Sequence, residues 1–422
     1  MRHHAGLMTE PSVSSSAAKR GPLLSADEAL ARLLAAFQPL QAVENVATQA
    51  ARGRVLARAI VSTVDVPPAN NSAMDGYALR LADLAAGQPL PVSQRIPAGV
   101  VGQPLVAGTA ARIFTGAQVP AGADVVVMQE HCEALPGDGL GQVRVNERPA
   151  AGAAIRRRGE DVSSGTEVLP AGTRIDAIAQ GLAATVGAAE LCVTRRPRVA
   201  LFSTGDELVM PGEPLPPGAI YNSNRFTLRG LIEGLGCEVV DLGIVPDRLD
   251  ATRAALRDAS TRADVIVTSG GVSVGEEDHL RPAVEAEGRL EMWQLAIKPG
   301  KPFAYGRVGE AHYVGLPGNP VSSLVTFLIL VRPALLQLQG ATRVQPRRWR
   351  LPAGFSWARP DRRREFLRVR VNDAGVLELF PNQSSGVLTS TFWADGLIDN
   401  PAGQPIAEGD LVSFLPFSEL LA

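Results

Sequence analysis

Three apolar runs constrain the middle of the chain more than any other feature. Val199-Ala-Leu-Phe-Ser203 reads as a buried strand, Glu238-Val-Val-Asp241 begins the next, and Asp264-Val-Ile-Val-Thr268 is a third. Helix-patterned segments separate them: Arg225 to Leu235, stopped by Gly236, and Ala251 to Ala259, with Asp250 placed as its N-cap. Strands alternating with helices between Arg198 and about 340 predict a doubly wound parallel sheet covered on both faces. A last long helix, Val321 to about Leu338, carries Pro333 and is expected to kink there.

That pattern occupies about a third of 422 residues, enough chain for two to four domains of roughly 100–200 residues each. Before it, Ser25-Ala-Asp-Glu28 is a capping box, followed by Leu30, Leu33, Leu34 and Phe37 at helical spacing. From about 75 to 155, runs such as Ala111-Arg-Ile-Phe114 and Asp124-Val-Val-Val-Met128 alternate with Gly/Pro turns, the spacing of a small β-domain. The expected layout is a disordered tail (1–21), an elongated domain in two pieces (22–65 and 156–195), an inserted β-domain (66–155), the α/β domain (196–342) and a C-terminal β-barrel-like domain (343–422). The last rests on the alternation in Phe366-Leu-Arg-Val-Arg-Val371 and Gly375-Val-Leu-Glu-Leu-Phe380. Forty-two glycines and 32 prolines fit so many turns.

Several function classes are disfavoured. Net charge is −2, so no global field draws the chain to nucleic acid or membrane. Ten arginines crowd Arg343 to Arg370. Few aromatics interleave there, Trp349, Trp357 and Phe366 among them, so a solvated strand face with one or two arginines left for anion contact is favoured over a nucleic-acid surface. Three well-separated cysteines (Cys132, Cys192, Cys237) and five histidines without HExxH argue against a disulfide framework or a His/Cys metal site, and for a reducing compartment. His131 and His279 have no triad-spaced partners. The N-terminus lacks an apolar signal core, and the longest largely apolar run, Leu324 to Val331 with Thr326 inside it, is far short of the ~20 residues of a membrane span. The expected location is the cytoplasm.

Chemistry concentrates at the ends of the predicted strands, where doubly wound sheets bind ligands. Thr204 and Gly205 follow the first strand; Ser269, Gly270, Gly271, Ser273 and Gly275 follow the third. Glycines there let backbone N–H groups approach a phosphate, although such loops also serve simply to turn a chain. Asp206, Glu207, Asp247 and Asp278 fall on the same rim. A hard cation such as Mg²⁺ takes one or two carboxylates plus phosphate oxygens, but turn and cap roles suit these acids too. Lys298-Pro-Gly-Lys-Pro302 sets Lys298 and Lys301 on a restrained turn. Two ammonium groups held close repel, so an anion is expected between them. Leu316-Pro-Gly-Asn-Pro-Val-Ser322 then leads into the last helix, whose first amides and Ser322 hydroxyl could hold an oxyanion.

Seven segments in order resemble one family: Asn71-Ser-Ala-Met-Asp-Gly-Tyr-Ala78, Ile113-Phe-Thr-Gly-Ala117, Arg158-Gly-Glu-Asp-Val162, Ser203-Thr-Gly-Asp-Glu-Leu208, Ser269 to Gly275 with Asp278, Lys298 to Pro302, and Leu316 to Ser322. They resemble the molybdopterin molybdenumtransferases, the MoeA-type enzymes related to the gephyrin E domain. The resemblance runs from about 23 to 420. It implies a central domain of the molybdopterin-binding type and Mg²⁺-dependent insertion of molybdate into adenylylated molybdopterin, with release of AMP. It also implies a homodimer whose clefts combine the α/β domain of one chain with N-terminal segments of the other, and partners such as a molybdopterin adenylyltransferase and molybdoenzymes. Matched positions are Asp75, Thr115, Asp161, Glu207, Asp247 and Asp278 on the catalytic side, the last three as metal ligands. On the substrate side they are Lys298, Lys301, Pro317, Pro320 and Ser322, with Arg363, Arg368 and Ser385 from a looser C-terminal match. The alternatives are a molybdopterin adenylyltransferase, which usually resembles a single α/β domain, and a non-catalytic scaffold. The retained acids and lysines speak against the scaffold.

Overall fold

The computed structural model describes residues 23–85, 87–271 and 279–421. The expected tail lies outside the described residues. The chain divides into two compact units. One takes the chain up to Gln38, Arg196–Leu338 and everything from Val344; the other takes Pro39–Arg195 with Gln339–Arg343.

The first unit is built on a six-stranded sheet. Its strands are β1 (Arg198–Thr204), β2 (Glu238–Val245), β3 (Val265–Ser269), β4 (Gly288–Gln294), β5 (Pro302–Val308) and β6 (Ala311–Leu316), in spatial order β2-β1-β3-β6-β5-β4. The chain passes from β1 to β2 on one side and on to β3 on the other, so the switch point falls between β1 and β3. Alternate residues of these strands serve both faces. Ala200, Phe202 and Ile266 pack with Leu256, Ala259, Ala283 and Val284 in one core, while Val199, Leu201, Val265 and Val267, equally buried, point to the other face. This is why 199–202 and 265–267 contain no polar alternation.

The pairs among β2, β1, β3 and β6 are parallel as predicted, but β5 runs antiparallel to both its neighbours, β6 and β4. The reason is local. Only Gly309-Glu310 separates β5 from β6, and two residues can close a hairpin but cannot make the crossover a parallel pair needs.

Helix α1 (Ser223–Gly234) is capped by Asn222, whose side chain accepts from Arg225 N. Helix α2 (Leu249–Arg262) differs from expectation. Its N-cap is Arg248, without a side-chain cap bond, and Asp250 sits inside the first turn, where its charge suits the positive end of the helix. Helix α3 (Leu280–Glu287) covers the same face as α2. The long helix runs Pro320–Thr326 as α, Phe327–Val331 as π and Arg332–Leu338 as α. The expected disturbance at Pro333 thus takes the form of a register change immediately before it, where an α register would need the N–H that proline lacks. By length and composition this helix could cross a membrane, but 89% of its most apolar window is buried in protein, as in a core helix.

The helix at Ala26–Ala36 has the expected capping box, with Glu28 N donating to Ser25 Oγ (3.2 Å) and Ser25 N to Glu28 Oε2 (3.0 Å). The sequence groups it with the elongated segments; the structure joins it to the α/β unit. Leu24 bridges to Leu295, and the Phe37 ring stacks on His312 at 3.8 Å. Apolar positions facing the helix 320–338 and His312 account for this.

The C-terminal segment forms a sheet ordered 297–298, 364–371, 396–400, 411–416, 349–352. Leu367, Val369, Ile398 and Phe414 form its core. The hairpin from 364–371 to 377–379 turns at Asn372, whose Oδ1 accepts from Ala374 N and Val376 N. The edge strand 297–298 comes from the α/β segment, so the twin-lysine turn is tied directly to the C-terminal sheet.

In the second unit, the strands 43–47 and 190–194 pair, and the helix Ala177–Thr185 packs on Leu56, Leu169, Ile175 and Val193. A six-stranded sheet occupies 76–145, with Tyr77, Val125 and Val127 in a core on one face and Ala78, Val126 and Ile113 in a core on the other. Asn71–Ser72 pairs with Ile155–Arg156 at its base.

Candidate active site

The loops leaving β1, β3 and β6 meet at the switch point. Gly270 has φ +93°, and a Cβ there would lie 3.0 Å from Thr204 O, so the loop after β3 passes against the end of β1 at backbone distance. Gly270 N donates to Leu316 O at 3.1 Å. The buried Asn224 amide, from the first turn of α1, donates to Ser269 Oγ and to Gly318 O, both at 2.7 Å. Thr204, Gly205, Ser269, Gly270, Gly271, Pro317 and Pro320 are thereby gathered in one loop cluster. Ser273, Gly275 and Asp278 lie outside the described residues.

Two of the expected acids border this cluster. The Glu207 carboxylate folds over Gly205, where an added Cβ would sit 2.5 Å from Oε2. Asp247 N donates to Asp206 Oδ1 at 3.3 Å, so Asp206 stabilises the loop after β2. Among the described residues, no three or more His, Cys, Asp or Glu side chains group as a ready-made metal cage. The donor set suits a hard cation that keeps waters and takes substrate oxygens, rather than one needing a full protein shell.

The cationic residues are linked through the C-terminal sheet. Ile297 and Lys298 run parallel to Arg364 and Glu365. Gly300 packs against Thr326 of the long helix, whose own start is tied to the C-terminal segment by Val321 N donating to Ser385 O at 3.0 Å. Arg368, 1% exposed, donates to Ser390 Oγ (3.1 Å) and to Ser384 O (3.1 Å). Burial alone pulls its guanidinium down to about 10. Strand 364–371, the loop at Ser384–Ser385, the start of the long helix with buried Ser322, and the twin-lysine turn therefore form one connected neighbourhood.

Three expectations change here. The anion between the lysines is partly supplied by the protein: Lys298 Nζ lies 3.3 Å from Glu365 Oε1 and 3.5 Å from Asp361 Oδ2. The amides of the long helix are not all available, since Val321 N is used by Ser385 O and Ser323 N by Asn319 O. The arginines of 343–370 are not uniformly solvated. Arg363 forms two side-chain bonds to Asp361, at 2.9 Å each, and holds that carboxyl far below the usual range; Arg364 chelates buried Asp399 at 2.5 and 2.6 Å.

Asp75, Thr115 and Asp161 belong to the second unit. Thr115 donates to Asp75 Oδ1 from both N and Oγ1, at 2.8 Å each, and the backbone bond above all lowers the Asp75 carboxyl. Asp161 N donates to Val66 O. Two cavities of about 510 and 220 Å³ in the first unit share Ala26, Asp27, Arg348 and Arg364, and neither is lined by the lysines or rim acids. Sequence reasoning missed Asn224, Asp361, Glu365 and Trp357. For Asp361 and Glu365 a signal was present: they are the acids inside the arginine-rich stretch.

Fold and site together define a multidomain protein with a switch-point α/β domain between an N-terminal β-containing region and a C-terminal β-domain. Three family models match it: the MoeA N-terminal region (domain I and II) over 24–187, a probable molybdopterin binding domain over 200–337, and the MoeA C-terminal region (domain IV) over 350–417. The chain is 39% identical to a Haemophilus influenzae protein named molybdopterin molybdenumtransferase, over 94% of this chain and all of that one. It is 38% identical to the Mycobacterium tuberculosis molybdopterin molybdenumtransferase 2, over 88% and 93%. The solved structure of a molybdopterin biosynthesis MoeA protein from Pyrococcus horikoshii OT3 superposes with a TM-score of 0.81 at 28% identity, covering 94% of this chain and 100% of that one. The chain belongs to the MoeA family.

Proposed function

We propose that this chain is a molybdopterin molybdenumtransferase that inserts molybdate into adenylylated molybdopterin and releases AMP. One observation carries the reading: the glycine loops with their rim acids and the connected lysine–serine–arginine neighbourhood are built on the same unit. The first suits a nucleotide-linked phosphate; the second suits a tetrahedral dianion. Matched N- and C-terminal regions flanking the α/β domain favour this over a single-domain adenylyltransferase.

In this reading Thr204, Gly205, Ser269, Gly270 and Gly271 seat the phosphates. Glu207 and Asp247, with Asp278, would hold Mg²⁺, which would offset phosphate charge as AMP leaves. Lys298, Lys301, Ser322, Arg363, Arg368 and Ser385 orient molybdate. Asp75, Thr115 and Asp161 come from the partner chain of a homodimer, as the family resemblance implies. The cytoplasm is the working compartment, consistent with Cys132, Cys192 and Cys237 being free thiols.

The test is incubation of the full-length protein with adenylylated molybdopterin and Mg²⁺. AMP release should depend on added molybdate, and Lys298→Ala should raise the molybdate concentration required. Molybdate-independent release, or none, would overturn the assignment.

A further inference from the structure

Lys298 has two carboxylate partners within the protein, and each of those is anchored by a further side chain. Glu365 is 0% exposed; one oxygen faces Lys298 and the other accepts Trp357 Nε1 at 2.9 Å. Asp361 is held by the backbone N, Nε and Nη2 of Arg363. Parallel pairing of Lys298 with Glu365 fixes the backbones on both sides. The lysine side chain, 40% exposed, is the most exposed member, and among the described residues no carboxylate pairs with Lys301. Lys298, Arg363, Asp361 and Glu365 thus form a neutral quartet, and its two cations are among the residues assigned to molybdate.

A dianion approaching such a quartet meets two fixed negative charges. It gains Lys298 only if the ammonium leaves them, and Glu365 is then a buried carboxylate without its counter-ion, which is costly. We infer that Asp361 and Glu365 form a counter-ion clamp that exchanges Lys298 with the bound oxyanion and so sets how tightly a tetrahedral dianion is held. The clamp weakens ground-state binding because the protein itself supplies the counter-charge of Lys298. This rests on the assignment of Lys298 to the oxyanion site. Glu365 and Asp361 are positioning residues: they act through the lysine.

Glu365→Gln removes the charge and leaves an oxygen for Trp357 Nε1. Asp361→Asn removes the charge of the less buried half of the clamp and guards against a folding defect in the Glu365 variant. Binding of molybdate alone to the full-length chain, by equilibrium dialysis, should tighten about tenfold in Glu365→Gln and severalfold in Asp361→Asn. In turnover, the KM for molybdate should fall while that for adenylylated molybdopterin stays unchanged, a split that a merely structural role would not produce. Unchanged or weaker molybdate binding in both folded variants overturns the clamp. If Lys298→Ala loses affinity while they do not tighten, the oxyanion assignment survives and the clamp alone fails. If Lys298→Ala binds like the wild type, or no form of the chain binds molybdate, both fall.

Discussion

The amide nitrogen of Asn224 lies 2.7 Å from Ser269 Oγ, and its second hydrogen goes to Gly318 O at the same distance. One side chain in the first turn of α1 thereby joins the loops that follow β3 and β6. Asn224→Ala removes the donor to Gly318 O and leaves the buried Ser269 hydroxyl without this partner, which costs about 1–3 kcal/mol. We expect a lower urea midpoint and slower AMP release, with the KM for adenylylated molybdopterin raised more than that for molybdate. Asn224→Asp should be worse, because a carboxylate cannot donate to Gly318 O. Equal stability of wild type and both variants would contradict this role.

A second expectation concerns the twin-lysine turn. Gly300 has φ +114°, and an added Cβ would lie 2.4 Å from Thr326 Oγ1. Gly300→Ala combines backbone strain with overpacking, each of order 1–3 kcal/mol. The unfolding free energy should fall by at least about 2 kcal/mol, and the molybdate dependence should shift because Lys298 and Lys301 flank the distorted residue. Adding Thr326→Ala should restore only the part due to the clash, since φ is untouched. Full restoration in the double variant would show that the backbone conformation carries no cost.

The legibility of this molecule follows the range of the interactions concerned. Val199–Ser203 and Asp264–Thr268 are readable as strands because burial on both faces writes an unbroken apolar run into local sequence. The switch point is readable because glycines must stand where Gly270 touches Thr204 O. The antiparallel edge depends on a connection of two residues, Gly309-Glu310, that periodicity does not report. The partners of Lys298 are more than 60 residues away and meet it through the pairing of 297–298 with 364–365, which no local pattern encodes. The arginine stretch misleads for the same reason. Charge composition is local, but whether Arg364 faces water or Asp399 depends on a strand at 396–400.

The last expectation is a pH dependence set by His312. This residue is 5% exposed, stacked on Phe37 and hydrogen-bonded between Nδ1 and Tyr305 OH at 3.1 Å. Burial, helped by the nearby Arg307 charge and opposed by Asp264, pushes the imidazole down to about 4 from 6.5. The folded state therefore holds it neutral while the unfolded chain takes up a proton below 6.5. Its contribution to stability is fully present above pH 6.5, declines as pH falls, and is lost by the time the folded value is passed. The whole span is worth about 3 kcal/mol. His312→Gln keeps a hydrogen-bonding side chain for Tyr305 but does not titrate. Urea unfolding at pH 7, 5.5 and 4 should show the wild type losing about 3 kcal/mol more than the variant between the extremes. Parallel losses in the two proteins would mean that His312 titrates alike in the folded and unfolded chain, and that its stacking on Phe37 does not exclude the charged form.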